Sequence, residues 1–536
     1  MKLIKPLYLS AALALALASC GTQKTAVYTP LTASDNMPVK VGKLAEKDLK
    51  RWSHLDLIKD TVPGMSVDRA YAELLKGKKS KKVIVGVVDS GVDIDHEDLK
   101  PVIWTNPKEV AGNGIDDDKN GYIDDIHGWN FLGKAEHENM EYIRILKKGD
   151  DGSETYKKAK AEYEKESSEV MQAKQQLDFI LNASNTIKKH LKKDTYTLED
   201  IQKIQTSEPA LSQAKMVMSQ VLPQTGNDLT KIDEFKDQVY SQVNYHMNLQ
   251  FDGRKLVGDN PNDINDKKYG DNNVIGPVKS GAKHGTHVAG IIAQTRANGM
   301  GGDGVASNNV EILAVRAVPD GDEYDKDIAL GIRYAVDNGA KVINGSFGKY
   351  FAQHPEWVYD AIKYAASKDV LIVVAAGNEG LDLNADGGVD RFPNDNIKMG
   401  PEIADNFLTV GALNYVYGPQ LVADFSNYGK SDVDVFAPGE KIYATTPNQS
   451  YEYLQGTSMA SPNVAGVAAL IRSYYPGLTA AQVKQIIMDS GIAVKQEVIL
   501  GGDPDNKRMF SEISKSGKMV NAYNALIMAE KVASKK

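Results

Sequence analysis

The chain has 536 residues, 42% of them hydrophobic and 25% charged, enough to bury at least one large core and to carry a second domain or a sizeable insertion. A formal net charge of −8 leaves no basic field to hold a phosphate backbone, so nucleic acid is not an expected partner. The single cysteine, Cys20, excludes a disulfide framework and a cysteine nucleophile in the folded body.

In chain order, "MKLIKPLYLSAALALALASC" sets two lysines before an apolar run from Leu7 to Ala18 that is too short to cross a bilayer comfortably and has the order of a secretory signal. "LASC", Leu17–Cys20, resembles the bacterial lipobox, whose cysteine is diacylated and becomes the mature N-terminus; an ordinary signal with an incidental cysteine is the plainer alternative. Residues 1–19 are therefore expected to be a lipoprotein signal peptide, Cys20 the lipidation site and residues 20–81 an N-terminal tether or extension. Two or more acyl chains hold a protein stably on a membrane, so the expectation is an exported bacterial lipoprotein of the cell envelope.

A regular pattern starts at Lys82. Runs at 81–91, 310–318, 340–348, 369–380 and 406–413 are short, nearly continuous and apolar, and end in Gly, Asp or Asn or, in two cases, run on apolar. Such runs read as strands buried on both faces. Between them "DIALGIRYAVDNGA" and "EWVYDAIKYAASK" carry a helical period. Strand alternating with helix predicts an α/β fold with a doubly wound, mostly parallel sheet, whose ligands bind beyond the carboxyl ends of the strands.

Between the first two of these strands lie two further features. In "GNGIDDDKNGYIDDIHGWNF", Asp116, Asp118 and Asn120 alternate, Gly121 permits a sharp turn, Tyr122 offers a carbonyl, and Asp124 or Asp125 can close a shell. Oxygen ligands at that spacing suit a structural calcium ion, although His127 at the twelfth position and the lack of flanking helices exclude a full EF-hand; a solvated acidic turn is the alternative. Residues 134–250 are rich in Lys, Glu, Gln and Ala, hold 17 basic and 19 acidic residues, and show helical stretches broken near Pro209 and Pro223. A balanced amphipathic segment of this kind predicts a packed helical subdomain rather than a disordered tail. Because its ends must emerge near the strand carrying Asp89 and the helix carrying His284, it is expected to cap the cleft, a spacer holding the body off the membrane being the alternative.

Asp89 follows the run Val83–Val88, and Asn378 follows Val370–Ala376. Each alone could be a turn former. "GTSMASPNVAGVAAL" at 456–470 places Ser458 among small residues, which mark tight helix packing as readily as a nucleophile. Of nine histidines none follows Ser458, so the Ser, Asp, His order of an α/β-hydrolase cannot be met, and "GTSMA" lacks the second glycine of its GxSxG elbow. His284 and His287 are three apart, not the four of an HExxH zinc site, and no glutamate lies between them.

The ordered set Asp89 in "DSGVDIDHEDL", His284 in "HGTHVAG", Asn378 in "AAGNEG" and Ser458 in "GTSMASP" resembles the subtilase family of serine peptidases over about 82–133 and 251–526. The resemblance implies a subtilisin-type catalytic domain formed by 82–133 and 251–530, interrupted by the insertion at 134–250. It implies a serine endopeptidase acting on polypeptide through an acyl-enzyme, and a monomer is expected. Serine is a poor nucleophile at its free pKa, so His284 takes the Ser458 proton, on an activity limb expected near the ordinary histidine range of roughly 6 to 7. Asp89 then orients the imidazole, while Asn378 and the Ser458 N–H meet the oxyanion. By the same resemblance Ser346, Phe347 and Gly348 form an edge that pairs with substrate backbone, and Ala376 and Gly377 line a pocket, with room for an apolar side chain preceding the cut. Asn463 stands where the family usually has histidine, and no obvious long inhibitory prosegment lies between Cys20 and Lys82. A catalytically silent subtilase fold that binds peptides or assembles a complex is the competing reading.

Overall fold

The computed structural model describes residues 28–32, 43–385, 390–397 and 400–535; the expected signal peptide and Cys20 lie outside the described residues. Among those residues no helix is long and apolar enough to cross a membrane.

The apolar runs form the strands of one sheet. In chain order the strands are β1 (Val83–Asp89), β2 (Gly128–Asn130), β3 (Val310–Arg316), β4 (Val342–Gly345), β5 (Leu371–Ala375), β6 (Phe407–Leu413), β7 (Val435–Pro438), β8 (Ile442–Thr446), β9 (Ser450–Leu454), β10 (Ile492–Ala493), β11 (Glu497–Leu500), β12 (Asp503–Met509) and β13 (Lys518–Met519). Nine of them join in the order β10-β13-β7-β6-β5-β4-β1-β3-β2, and β8–β9 and β11–β12 are separate hairpins. Every pairing in the large sheet is parallel except β10 with β13.

Alternate residues of β1 serve two cores. Val83, Val85 and Val87 join the cluster that includes Val288 and Ile292 of the Lys283–Ala293 helix and Val464 and Val467 of the Thr457–Tyr474 helix. Val88 joins Ile328 and Ile332 of the Asp325–Asp337 helix and Val358 and Ile362 of the Pro355–Ser367 helix. Helices thus cover both faces, which is why the strands read as unbroken apolar runs. Gly86 lets one helix approach closely, since a Cβ there would lie 2.9 Å from Ala335 Cβ. β1 lies between β3 and β4, so chain order reverses at its carboxyl end, where such sheets bind ligands.

Residues 134–250 are built mainly of the helices Glu141–Lys147, Glu154–Leu191, Leu198–Gln202, Pro209–Gln224 and Thr230–Ser241. Pro209 opens its helix, where no N–H is needed, and Pro223 falls in the last turn of the same helix. The 38-residue Glu154–Leu191 helix is about 57 Å long at the usual rise, and Ser153 caps it by accepting from Tyr156 N at 3.0 Å. Ile187, Ile201, Leu211, Met218, Leu222 and Ile232 give the insertion a core of its own.

The insertion is rooted in the body by buried charge. Lys349 Nζ lies 2.6 Å from Glu141 and 2.9 Å from Asp325, and Arg144 pairs with Glu141 while donating to the carbonyls of Asp322 and Glu323 at 2.8 and 3.0 Å. A second clasp sits at both ends of the insertion: Asp320 is held by His137 at 2.7 Å, by His246 at 3.0 Å and by the Ser241 hydroxyl.

The N-terminal segment differs from the expected tether in its described part. Trp52, Leu57, Val62, Met65, Val67 and Leu74 are buried in the main core, Trp52 Nε1 donates to the Glu440 carbonyl at 2.9 Å, and Asn521 donates to the Ser66 hydroxyl at 2.8 Å. Residues 43–81 are part of the body because their apolar positions, irregularly spaced in sequence, fill the space beneath the C-terminal helix.

Candidate active site

Asp89 is the last residue of β1 and is 1% exposed. Its Oδ1 lies 2.7 Å from His284 Nδ1 and also accepts from Ser90 N at 2.7 Å, while Oδ2 is buried without a partner. His284 sits in the first turn of the Lys283–Ala293 helix. The following Gly285 explains how that helix reaches β1: a Cβ there would lie 2.2 Å from the Gly91 carbonyl and 3.0 Å from Asp89 Cβ. Burial pulls the imidazolium down, yet the Asp89 carboxylate, by charge and hydrogen bond, more than offsets this, so the His284 pKa lies above the ordinary histidine value. His287, one helical turn on, is of another kind. It is fully buried, contacts the Glu452 carbonyl through Nε2 at 3.1 Å, and is pushed down to about 3 chiefly by burial, so it stays neutral.

Ser458 is the second residue of the Thr457–Tyr474 helix, reached through Gly456 at φ 146. Its hydroxyl donates to the Ser346 carbonyl at 3.2 Å, and the Ser346 hydroxyl donates to the Ser458 carbonyl at 2.8 Å. The Ser458 hydroxyl makes no hydrogen bond with His284. The small residues that follow let this helix lie on the sheet: Ser461 donates to Asn344 at 2.7 Å, and Asn344 to the Ser346 hydroxyl at 2.9 Å. Asn463 is also buried, donating to the Pro438 and Met459 carbonyls at 3.0 and 3.1 Å, so the departure from histidine is met by packing.

Asn378 is brought to the same helix start by Thr457. The Thr457 N–H and hydroxyl donate to Asn378 Oδ1 at 2.8 and 3.0 Å, and Gly377 N donates back to Thr457 Oγ1 at 3.0 Å. Pinning the carboxamide oxygen leaves Asn378 Nδ2 as the available donor beside Ser458. Ser346–Gly348 continue past the end of β4 outside the ladder, and Ala376 and Gly377 follow β5. Thr457, although within the quoted motif, carries no sequence signal for this role.

The acidic loop is arranged otherwise than its spacing implied. Carboxylate oxygens of Glu109, Asp116 and Asp118 converge to within 4.8 Å of one another, so Glu109, outside the alternating run, belongs with the first two. Asp124 and Asp125 do not close this group. Asp124, at φ 53, accepts from the N–H groups of Gly112, Asn113 and Gly114, and Asp125 accepts from Tyr334 OH at 2.6 Å, Asn106 at 2.9 Å and Asn120 at 3.0 Å. The Asn120 side-chain oxygen is taken by Tyr122 N at 2.8 Å, and the Tyr122 ring anchors the loop on Trp129 and Tyr334 at centroid distances of 5.0 and 4.8 Å. Turn hydrogen bonds compete for the same oxygens that sequence spacing offers to a cation.

A parallel sheet wound on both faces, with aspartate, histidine, asparagine and serine motifs gathered at its carboxyl edge in that chain order, defines a subtilisin-type α/β protein. The chain belongs to the Subtilase family (Peptidase_S8), which matches residues 80–511. It is 41% identical over 205 residues to the "Thermophilic serine proteinase" of Bacillus sp. (strain AK1), covering 38% of this chain and 45% of that protein. It is 38% identical over 205 residues to "Subtilisin DY" of Bacillus licheniformis, covering 38% of this chain and 68% of that one. Against "Thermitase" of Thermoactinomyces vulgaris it is 38% identical over 210 residues, covering 39% and 67%. The matched stretch therefore spans less than half the length of the first of these relatives.

Proposed function

We propose that this subtilase is a serine endopeptidase that hydrolyses polypeptide through Ser458, His284 and Asp89. The observation that carries the reading is the 2.7 Å pairing of a buried aspartate with a half-exposed histidine whose pKa it raises. The Ser458 hydroxyl leaves the Ser346 carbonyl and turns to His284 Nε2, which takes its proton as the oxygen attacks the substrate carbonyl. Asp89 holds Nδ1–H and stabilises the imidazolium. Asn378 Nδ2 and the Ser458 N–H, at a helix N-terminus, receive the oxyanion. His284 then protonates the leaving amine, and water repeats the sequence on the acyl-enzyme.

The relatives named as proteinases, the lipobox-like "LASC" and the apolar run before it support an exported, lipid-anchored form of this enzyme. Glu109, Asp116 and Asp118 would hold a calcium ion, with Glu109 Oε2 buried and otherwise without a partner. The insertion would wall the cleft and admit flexible chains. Its root grips Lys349, next to the Ser346–Gly348 edge, while Lys231 at its far end, paired with Glu234, also feels the charge of Glu452, the partner of Lys283 beside His284.

The test is cleavage of a denatured protein by the full chain and by its Ser458→Ala variant. Cleavage lost only in the variant is expected. A folded wild-type chain that binds the denatured protein without cutting it would instead establish the silent, peptide-binding form.

A further inference from the structure

One buried cation has no acidic partner among the described residues. Among the described residues eight lysines and arginines are buried, and seven of them (Arg144, Arg254, Arg316, Lys326, Lys349, Arg472 and Lys484) each hold a carboxylate at 3.3 Å or closer. The eighth, Arg391, is 7% exposed and is bound only to carbonyls, with Nη2 donating to Phe347 at 2.7 Å and Nη1 to Pro393 at 3.3 Å. A guanidinium carries five N–H donors in a planar fork, so these two bonds leave most of them unused. Burying such a charge unpaired is unfavourable, and a carboxylate is the partner its shape fits best.

Arg391 lies against the edge that also touches Ser458. Ser346 accepts from the Ser458 hydroxyl, Phe347 accepts from Arg391, and Gly348 is bare on the guanidinium side: a Cβ there would fall 2.4 Å from Nη2 and 2.7 Å from Cζ. Gly377 is bare in the same way, toward Asn427 Nδ2 at 2.3 Å, Glu379 Oε2 at 2.9 Å and the Tyr350 hydroxyl at 3.1 Å. Gly348 of the substrate-pairing edge and Gly377 of the pocket are thus glycines on which polar groups pack directly. Glu379 is not the missing partner. Its carboxylate is held by the Tyr350 hydroxyl and by Asn427 Nδ2 at 2.8 Å. Burial lowers the Arg391 pKa, and Tyr350, Glu379 and Glu323 act against it, which places these groups within charge range of the guanidinium.

We propose that Arg391 is a specificity-determining residue that receives the carboxylate of an aspartate or glutamate side chain immediately before the cleaved bond, so that this protein cuts after acidic residues. The proposal rests on the endopeptidase reading, and it differs from the room for an apolar side chain read from sequence. Substrate backbone on the Ser346–Gly348 edge and substrate carboxylate on Arg391 would then be fixed by two segments that touch each other, since Arg391 donates to the Phe347 carbonyl.

The experiment measures kcat/KM of the full chain on four peptides that differ only in the residue before the cut: Glu, Gln, Leu and Lys. Glu is expected to exceed its isostere Gln by roughly ten- to a hundredfold, the range of a charge-assisted hydrogen bond, with Lys the poorest. Arg391→Met should bring the Glu to Gln ratio to about one, Arg391→Lys should keep it above one, and Glu379→Gln should raise it by removing a like charge. Equal rates on Glu and Gln in the unmodified protein, or a preference for Leu, would overturn the proposal while leaving the endopeptidase reading standing. Cleavage of none of the four, by a chain whose Ser458 also resists a sulfonyl fluoride, would overturn both.

Discussion

At the scale of single residues, substitutions at Ser458 and Asn378 separate chemistry from scaffolding. Ser458→Ala replaces one small side chain by another at a helix start, so it should abolish hydrolysis while leaving the thermal unfolding curve in place. Asn378→Ala should lower kcat by about 10² to 10³ and move KM far less, because the oxyanion exists only in the transition state; an equal effect on both parameters would contradict that role. The pH dependence follows from the raised His284 pKa. Base catalysis needs the neutral imidazole, so kcat/KM should fall with decreasing pH on a limb shifted upward from the ordinary histidine value. Stability runs the other way. A pKa raised in the folded state contributes stability that is fully present below the unfolded value and is lost as pH rises through the folded one. Asp89→Asn should therefore shift the activity limb downward and remove the matching pH-dependent part of the unfolding free energy. An unmoved limb would show that another group sets it. Much of this was legible in the chain, since four short motifs named Asp89, His284, Asn378 and Ser458. Thr457 and Arg391 were not, because each acts through a contact between segments distant in sequence, and Glu109 was not, because it lies outside the alternating acidic run.

At the scale of elements the apolar runs announced β1, β3, β4, β5 and β6, because strands buried on both faces need no alternation to be noticed. The strands that escaped notice are short or polar. β2 has three residues, β10 and β13 two each, and β9 is exposed or half-buried throughout, so none offers a run long enough to stand out. The insertion's helices were legible from composition, but its root was not, since nothing in the sequence marks Glu141, Arg144 and Lys349 as charges that are buried together. Burial opposes the Glu141 charge, and Arg144 and Lys349 hold its pKa down at about 2. Breaking such a network leaves buried charge uncompensated, so Glu141→Leu should destabilise the protein by about 3 to 5 kcal/mol in denaturant unfolding. A loss under about 1 kcal/mol would mean that the root is hydrated and adaptable. The acidic loop makes a separate prediction. If Glu109, Asp116 and Asp118 hold calcium, a chelator should lower Tm and Asp118→Asn should lower it without further effect of the chelator, because a ligand bound only by the folded state stabilises it by mass action. Identical melting curves with added calcium and after exhaustive chelation would assign the loop to its turn hydrogen bonds alone.

At the scale of the whole molecule the carboxyl edge of the sheet carries the candidate site, and the proposed role of the insertion as a cap can be tested by removing it. Both clasps sit at the ends of the inserted segment, in residues 137–144 and 241–246, so a deletion that respects the physics spares them. Replacing 150–240 with a short Gly/Ser linker should leave cleavage of a small peptide nearly unchanged and selectively raise cleavage of a folded protein. Equal changes on both substrates would make the insertion a spacer. The expectations about cleavage all depend on Ser458 being a nucleophile activated by His284, and the most direct measurement of that is covalent. The full chain is treated with a sulfonyl fluoride across a pH series and the adduct is located by mass spectrometry. The expected result is one adduct, on Ser458, whose rate of formation follows the same acid limb as hydrolysis and which is lost in His284→Ala. A folded chain that remains unlabelled at Ser458, or is labelled there equally well without His284, would contradict the account.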